Sequence, residues 1–259
     1  MTRFIERGRV KLAFDVEGRG EPAIMLMHGW AGDRSYFAPQ FDWFAARRAV
    51  VSVDLRGHGN SDAPEPGEGV YDVDTLCADV LAIGEEAGCD RPVVVGHSLG
   101  ALVALACAAH RDAVGAAVMV DPAPIVNQEV KAFLAAGADS IEDDVDGSWR
   151  KGFVAGMFMR TDRVRREEII DGMAGQPTAV AAATLRAIAN FDGVSALAAV
   201  SVPLLSIGSA SPTNSSSDLL AVCPSMLIGQ TVGAGHFNQL EVPDQVNFMI
   251  ERFLAINDL

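Results

Sequence analysis

Residues 93 to 102 read VVVGHSLGAL, and the reading of this stretch decides the fold. An apolar run passes directly into a G-x-S-x-G pattern, Gly96, Ser98 and Gly100, and out into an alanine-rich segment that begins near Leu99. A serine in that pattern occupies a tight strand-to-helix turn, where the flanking glycines let neighbouring backbone pass without Cβ clashes and the hydroxyl is pushed out at the edge of a sheet. Working outward, AIMLM (23–27), AVVSVDL (49–55), PVVVGH (92–97), GAAVMV (115–120) and VPLLSIG (202–208) are short continuous apolar runs. Strands covered on both faces of a parallel sheet read this way. Helix patterns lie between them. After Asp72 as N-cap, Val73, Leu76, Cys77, Val80 and Leu81 recur at the spacing of one helix face, and Gly88 stops the run. Pro243 suits a first helical turn, with Val246, Met249, Ile250, Phe253 and Leu254 as the buried stripe behind it. The alternation predicts an open, mostly parallel α/β sheet with its ligand at the carboxyl ends of the strands.

From about 125 to 197 the alternation stops, and helical patterns follow one another with no strand between them. No Pro/Gly/Ser linker flanks this stretch, so it is expected to be a helical insertion over the sheet. The organisation is then a core of 1–124 and 198–259 with a cap of 125–197. At 259 residues and 49% apolar composition the chain can bury one large core. Its net charge of −14, with 20 scattered Lys and Arg, makes nucleic acid and anionic membranes poor partners. The opening MTRFIERGRV has charges but no apolar core, and no run of about 18 apolar residues occurs, so a cytoplasmic protein is expected. Cys77, Cys89, Cys107 and Cys223 form no CxxC pair and read as reduced thiols. EDDVDG (142–147) opens like a calcium loop, but Phe153 stands where the closing Glu is required. No cofactor and no metal are expected, and the partner is a small-molecule substrate of a monomer or homodimer.

Ser98 alone is a weak nucleophile and needs a base. The candidate is His236, in the glycine-rich GAGHF (233–237) before the terminal helix. His28 opens a loop after a strand, His97 points away from the serine on its tight turn, and His110 ends a helix. His58, in DLRGHGNSD (54–62), is the rival. A carboxylate must orient the base. AAVMVDPAP (116–124) ends an apolar run on Asp121 and is stopped at once by Pro122, which leaves a carboxylate at the tip of a buried strand.

MLMHGWAGD (25–33), DLRGHGNSD, VVGHSLGALVAL (94–105) and GAGHF, in this order, resemble the α/β-hydrolase superfamily over nearly the whole chain. The resemblance implies an eight-stranded sheet, a helical cap and a Ser98/His236/acid triad without a cofactor. It also implies an oxyanion hole made by the backbone N–H groups of Trp30 and Leu99. Most members carry the acid just beyond the strand that VPLLSIG would form, but Ser209, Ala210, Ser211, Pro212 and Thr213 follow here, with no carboxylate before Asp218. A minority places it after the preceding strand, where Asp121 stands; Asp218 is the lesser rival. Trp149, Phe153 and Met157, at i, i+4 and i+8, are the candidate substrate-binding residues of the cap. A carboxylesterase-like serine hydrolase acting on a small to medium ester or lactone is the expectation. Two alternatives stay open: a cofactor-independent ring-cleaving dioxygenase of the same fold, and a hydrolase-fold ligand receptor.

Overall fold

The computed structural model describes residues 2–110 and 112–259. Eight strands form a single sheet: β1 (Arg3–Arg7), β2 (Val10–Glu17), β3 (Ile24–Met27), β4 (Val50–Val53), β5 (Val93–His97), β6 (Ala116–Val120), β7 (Leu204–Gly208) and β8 (Leu227–Gln230). The helices in chain order are α1 (Ala38–Ala45), α2 (Val73–Glu86), α3 (Leu99–Ala109), α4 (Gln128–Glu142), α5 (Ser148–Ala155) and α6 (Arg166–Ala174). They continue with α7 (Thr178–Asn190), α8 (Gly193–Ala199), α9 (Ser216–Val222), α10 (Asn238–Glu241) and α11 (Pro243–Ile256). The strand order is β1-β2-β4-β3-β5-β6-β7-β8, parallel except where β2 pairs with β1 and with β4. From β3 the chain goes first to one side, to β4, and then to the other, to β5. The crevice at that reversal is where an open α/β sheet receives its ligand, and both Ser98 and the His28–Trp30 loop open onto it.

The apolar strand runs are continuous because both faces are covered. Ile24, Leu26, Val93, Val95, Val118 and Val120 pack in the layer under α1 and α11; Met25, Met27, Val94, Ala117 and Met119 face the layer under α2, α3 and α8. Helix α3 is buried along nearly its whole length, which explains its run of Ala and Leu. The hairpin β1–β2 was not among the strands read from composition. Val10, Leu12 and Phe14 share one face of β2, with Lys11 and Asp15 breaking the apolar run, and β1 lies at an exposed edge. Between β6 and β7 the chain is helical, as expected. Helix α4 packs on α7 and α5 on α6, while α8 packs on α3.

Two imidazoles lock the loops that follow β3 and β4. His28 donates from Nδ1 to the Gly29 carbonyl (2.7 Å) and accepts the Leu55 N–H at Nε2 (3.1 Å). His58 donates to the Arg56 carbonyl (2.8 Å) and accepts the Ala31 N–H (3.2 Å). Asp54 adds acceptors for the Arg34 and Asn60 N–H groups, both at 2.8 Å, and pairs with the Arg34 guanidinium. Arg56 holds the second loop to α2 through two 2.8 Å hydrogen bonds to Asp79. His58, the rival base, is thus fully committed to backbone.

Each of these buried rings uses one nitrogen as an acceptor, so a second proton would have no place. Burial is the main cause that lowers the pKa of His28 to about 4 and of His58 to about 3. An unfolded histidine takes its proton near pH 6.5, so stability is full above that value and falls as the pH drops toward about 4 and 3. Each ring is expected to contribute a slope of about 1.4 kcal/mol per pH unit in that window. Urea unfolding between pH 6.5 and 5 measures the slope, and histidine C–H chemical shifts should show both rings still neutral at pH 5 in the folded protein. A second expectation concerns the turn after β5. A Cβ at Gly96 would stand 1.9 Å from the Gly100 carbonyl oxygen, backbone that cannot yield. Gly96→Ala should therefore cost at least about 3 kcal/mol in urea unfolding.

Candidate active site

The sequence forces an unusual backbone at Ser98. It follows β5 at φ 53° and ψ −112°, the region disfavoured for a residue with a Cβ, and α3 starts at the next residue. Crowding holds it there: a Cβ on Gly100 would meet the Met27 carbonyl oxygen at 2.2 Å, so the start of α3 lies directly against the end of β3. The Ser98 N–H is taken by the Val120 carbonyl (3.1 Å), which ties the turn to the end of β6. The side chain is left facing a pocket while the residue is only 8% exposed.

Asp121 is the next residue along that neighbouring strand end. It too has positive φ, 38°, and its N–H donates to the Ile207 carbonyl at 2.7 Å before Pro122 ends the strand. Asn214 braces the chain beyond: it accepts the Ile125 N–H (2.7 Å) and donates to the Pro122 and Ala123 carbonyls (3.0 Å each). With 3% exposure the Asp121 carboxylate needs internal donors, and it has two. Oδ1 accepts the Ser209 N–H at 2.8 Å, and Oδ2 accepts from His236 Nδ1 at 2.6 Å. That pairing places the imidazole proton on Nδ1 and leaves Nε2 as a lone-pair acceptor. Asp218 is exposed in the first turn of α9, away from the imidazole pairing.

Ser98, Asp121 and His236 line one pocket, although no hydrogen bond joins the serine hydroxyl to the ring. Such contacts commonly close only when substrate is bound. Among the described residues, neither the Trp30 nor the Leu99 backbone N–H donates a hydrogen bond, and both flank Ser98. A Cβ at Gly29 would lie 3.1 Å from the Ser98 Cβ, which measures how closely the Trp30 loop approaches the serine. The Trp30 indole is anchored by its N–H to the Ala181 carbonyl at 2.8 Å, so the loop is fixed to α7.

The pocket has a volume of about 430 Å³. Trp30, Val130, Phe133, Leu134, Phe153, Met157, Leu185 and Ile188 supply its apolar wall, Ser211 and Thr213 its polar rim, and no Lys or Arg lines it. Phe153 and Met157 therefore reach the cavity. Trp149 does not: it stacks behind Phe153 with ring centroids 5.1 Å apart and fills the groove over Gly137. Of the three positions at i, i+4 and i+8, the second and third line the cavity, while the Trp149 indole is taken up by packing on Phe153 and on Gly137 of α4. His97 is also better placed than its position suggested. Its Nε2 donates to the His236 carbonyl at 2.8 Å, and the two rings pack 4.5 Å apart. Complete burial, then the neighbouring His236, hold its pKa well below the ordinary histidine value. Among the described residues no three His, Cys, Asp or Glu side chains are grouped as a metal site.

Comparison with known proteins places this geometry in a family. The 2-(acetamidomethylene)succinate hydrolase of Mesorhizobium japonicum is 30% identical over 148 residues, 55% of this chain and 52% of its own length. The matched segment thus spans about half the length of that relative. The enol-lactonase of Burkholderia xenovorans superposes with a TM-score of 0.82 at 22% identity, covering 98% of this chain and 100% of that one. An esterase of Thermogutta terrifontis superposes with a TM-score of 0.84, also at 22% identity and with 99% of each chain covered. At that identity the likeness is one of fold. The model of the alpha/beta hydrolase family matches residues 24–247, and the chain belongs to that family.

Proposed function

We propose that the protein is a serine hydrolase that cleaves a small to medium, weakly polar carboxylic ester or lactone through an acyl-enzyme on Ser98. The observation that carries this reading is the 2.6 Å pairing of His236 Nδ1 with the buried Asp121 carboxylate, in the pocket onto which Ser98 opens from its strained turn. Nε2 of His236 takes the Ser98 proton as Oγ attacks the carbonyl carbon; Asp121 holds the Nδ1 proton and offsets the imidazolium charge. The free N–H groups of Trp30 and Leu99 receive the oxyanion, and being fixed backbone dipoles they need no reorganisation as charge develops. Collapse expels the alkoxide, which takes the proton from Nε2. Water then repeats the sequence on the acyl-enzyme, releases the carboxylic acid and restores Ser98.

The same pocket supports a neutral substrate. A substrate carboxylate would enter an apolar cavity with no Lys or Arg to meet it, in a chain of net charge −14. This separates the expectation here from the relative named for a succinate. Helices α4 to α7 act as the cap that closes the pocket over the acyl or alcohol group. One observation favours a second reading, in which the His236–Asp121 pair deprotonates a substrate hydroxyl without Ser98: the serine is not hydrogen-bonded to the ring.

With chromogenic esters of graded acyl length, Ser98→Ala should lower kcat/KM by on the order of 10⁴ to 10⁶. A serine-directed covalent inhibitor should add its mass to Ser98. Full activity in Ser98→Ala, with oxygen uptake on hydroxylated heteroaromatic substrates, would establish the second reading instead. Asp121→Asn should cost up to about 10⁴ in kcat, because the imidazole loses both orientation and charge support. Asp218→Asn should leave kcat within about twofold, as expected of an exposed surface change.

A further inference from the structure

The geometry points to Asp162 as a positioning residue for His236, acting through a seam that makes the turn Met157–Val164 part of the mount of the imidazole. Asp162 lies between α5 and α6, in the helical segment over the pocket, and is 1% exposed. Its Oδ2 accepts the Met159 N–H at 2.7 Å, which closes its own turn, and the carboxylate accepts the Gly235 N–H at 3.2 and 3.3 Å. The next donor along the chain, the His236 N–H, goes to the Met157 carbonyl of the same turn at 3.1 Å. Glu241 completes the seam from α10 by accepting the Arg163 and Val164 N–H groups at 2.8 and 2.7 Å. The two segments interdigitate without slack, since a Cβ on Gly235 would stand 2.6 Å from Asp162 Oδ2 and 2.9 Å from the Met157 carbonyl oxygen.

The consequence for His236 follows by counting its backbone groups. Its N–H is held by Met157, its C=O by His97, and the N–H before it by Asp162. Only the side-chain torsions remain, and Asp121 holds the ring through Nδ1. Of these anchors, Met157 contributes a carbonyl that depends on the shape of its turn. Asp162 shapes that turn through Met159 and grips Gly235 directly. A displacement of the turn therefore carries the imidazole with it. A misplacement of about 1 Å at a reacting group is worth on the order of 10² in rate.

The kinetic arm of the test rests on the hydrolytic reading; the spectroscopic arm does not. With Nδ1 of His236 at 2.6 Å from Asp121 Oδ2, the Nδ1 proton should give a far-downfield imidazole resonance in the full-length protein, assigned by its loss in His236→Gln. In Asp162→Ala that resonance is expected to broaden or exchange at least about tenfold faster, with kcat reduced by roughly 10- to 100-fold and KM within about threefold. Asp162→Asn, which keeps one acceptor oxygen, should lie between, and Glu167→Gln, exposed on α6, should match the parent. If Asp162→Ala does not fold, Gly235→Ala opens the same seam from the other side and should move the same two readouts. A resonance unchanged in the folded variants overturns the proposal, whether or not kcat falls, because the loss would then not pass through the imidazole. Failure of ester turnover in the parent, with the resonance still sensitive to Asp162, would sink the hydrolytic reading and leave the positioning role standing.

Discussion

A carboxylate buried at the end of a strand must have donors for both oxygens, because an unpaired charge at 3% exposure would cost several kcal/mol. Asp121 meets that requirement with one backbone N–H from Ser209 and one imidazole, and most of the site's construction serves to bring those two donors to it. Neighbouring parallel strands lie about 4.8 Å apart, so a main-chain donor at the end of β7 can reach the end of β6. Strand β7 stops at Gly208, which leaves the Ser209 N–H outside the ladder and available. Pro122 keeps β6 from continuing past the carboxylate, and Asn214 satisfies the polar groups of the chain that leaves it. In effect β7 supplies the support and β6 the acid. Nothing about the imidazole requires the carboxylate to come from β7, because it binds through Nδ1 wherever the oxygen is presented.

This division explains what was legible in the sequence. The serine turn could be read because its chemistry needs residue types: a Cβ-free neighbour at 96 and at 100, and a hydroxyl between them. The five inner strands could be read because burial on both faces leaves continuous apolar runs, and Asp121 stood out as a charge ending one of them. The hairpin β1–β2 escaped because β1 is an exposed edge and charged residues interrupt β2, so neither leaves a continuous apolar run. The Ser209 N–H and the Met157 carbonyl are backbone groups, and their use leaves no trace in residue identity. Trp149 was read as cavity lining from its helical spacing with Phe153 and Met157, but spacing does not tell a cavity from a neighbouring helix, and the indole packs on Gly137 of α4 as a buttress for Phe153. His97 shows a further limit. A residue between glycine and serine carries no periodicity, yet its ring lies under His236 and holds that residue's carbonyl.

The two imidazoles at 28 and 58 and the pair at 97 and 236 divide the histidines by environment. His28 and His58 are neutral struts, each with a donor and an acceptor fixed by backbone partners, and burial keeps them neutral well below the ordinary histidine range, to about 4 and about 3. His97 is held neutral by the same burial and has one nitrogen, Nδ1, without a partner. His236 alone combines a carboxylate on one nitrogen with a pocket around the ring. A ring that is to accept and return a proton needs both features, the carboxylate to support the cation and the open side to meet the donor. DLRGHGNSD, which held the rival base His58, is instead a brace for the Trp30 loop, through the Ala31 N–H on His58 and the Leu55 N–H on His28.

The absence of a cation from the pocket wall also bears on the second half of a hydrolytic cycle. On the proposed reading, cleavage of a neutral ester would leave a carboxylate near Asp121, in a cavity whose wall is mostly apolar and holds no Lys or Arg. The substrate gains from that apolar wall, at roughly 25 cal/mol for each Å² removed from water. The ionised acid gains little from the same wall at its charged end, loses hydration there, and feels the repulsion of Asp121 and of a chain with net charge −14. On that reading the apolar wall would favour the neutral ester, and the same wall, holding no cation, would favour departure of the ionised product. A site built to hold a dicarboxylate would need Arg or Lys in the wall, and would have to release its product against that attraction.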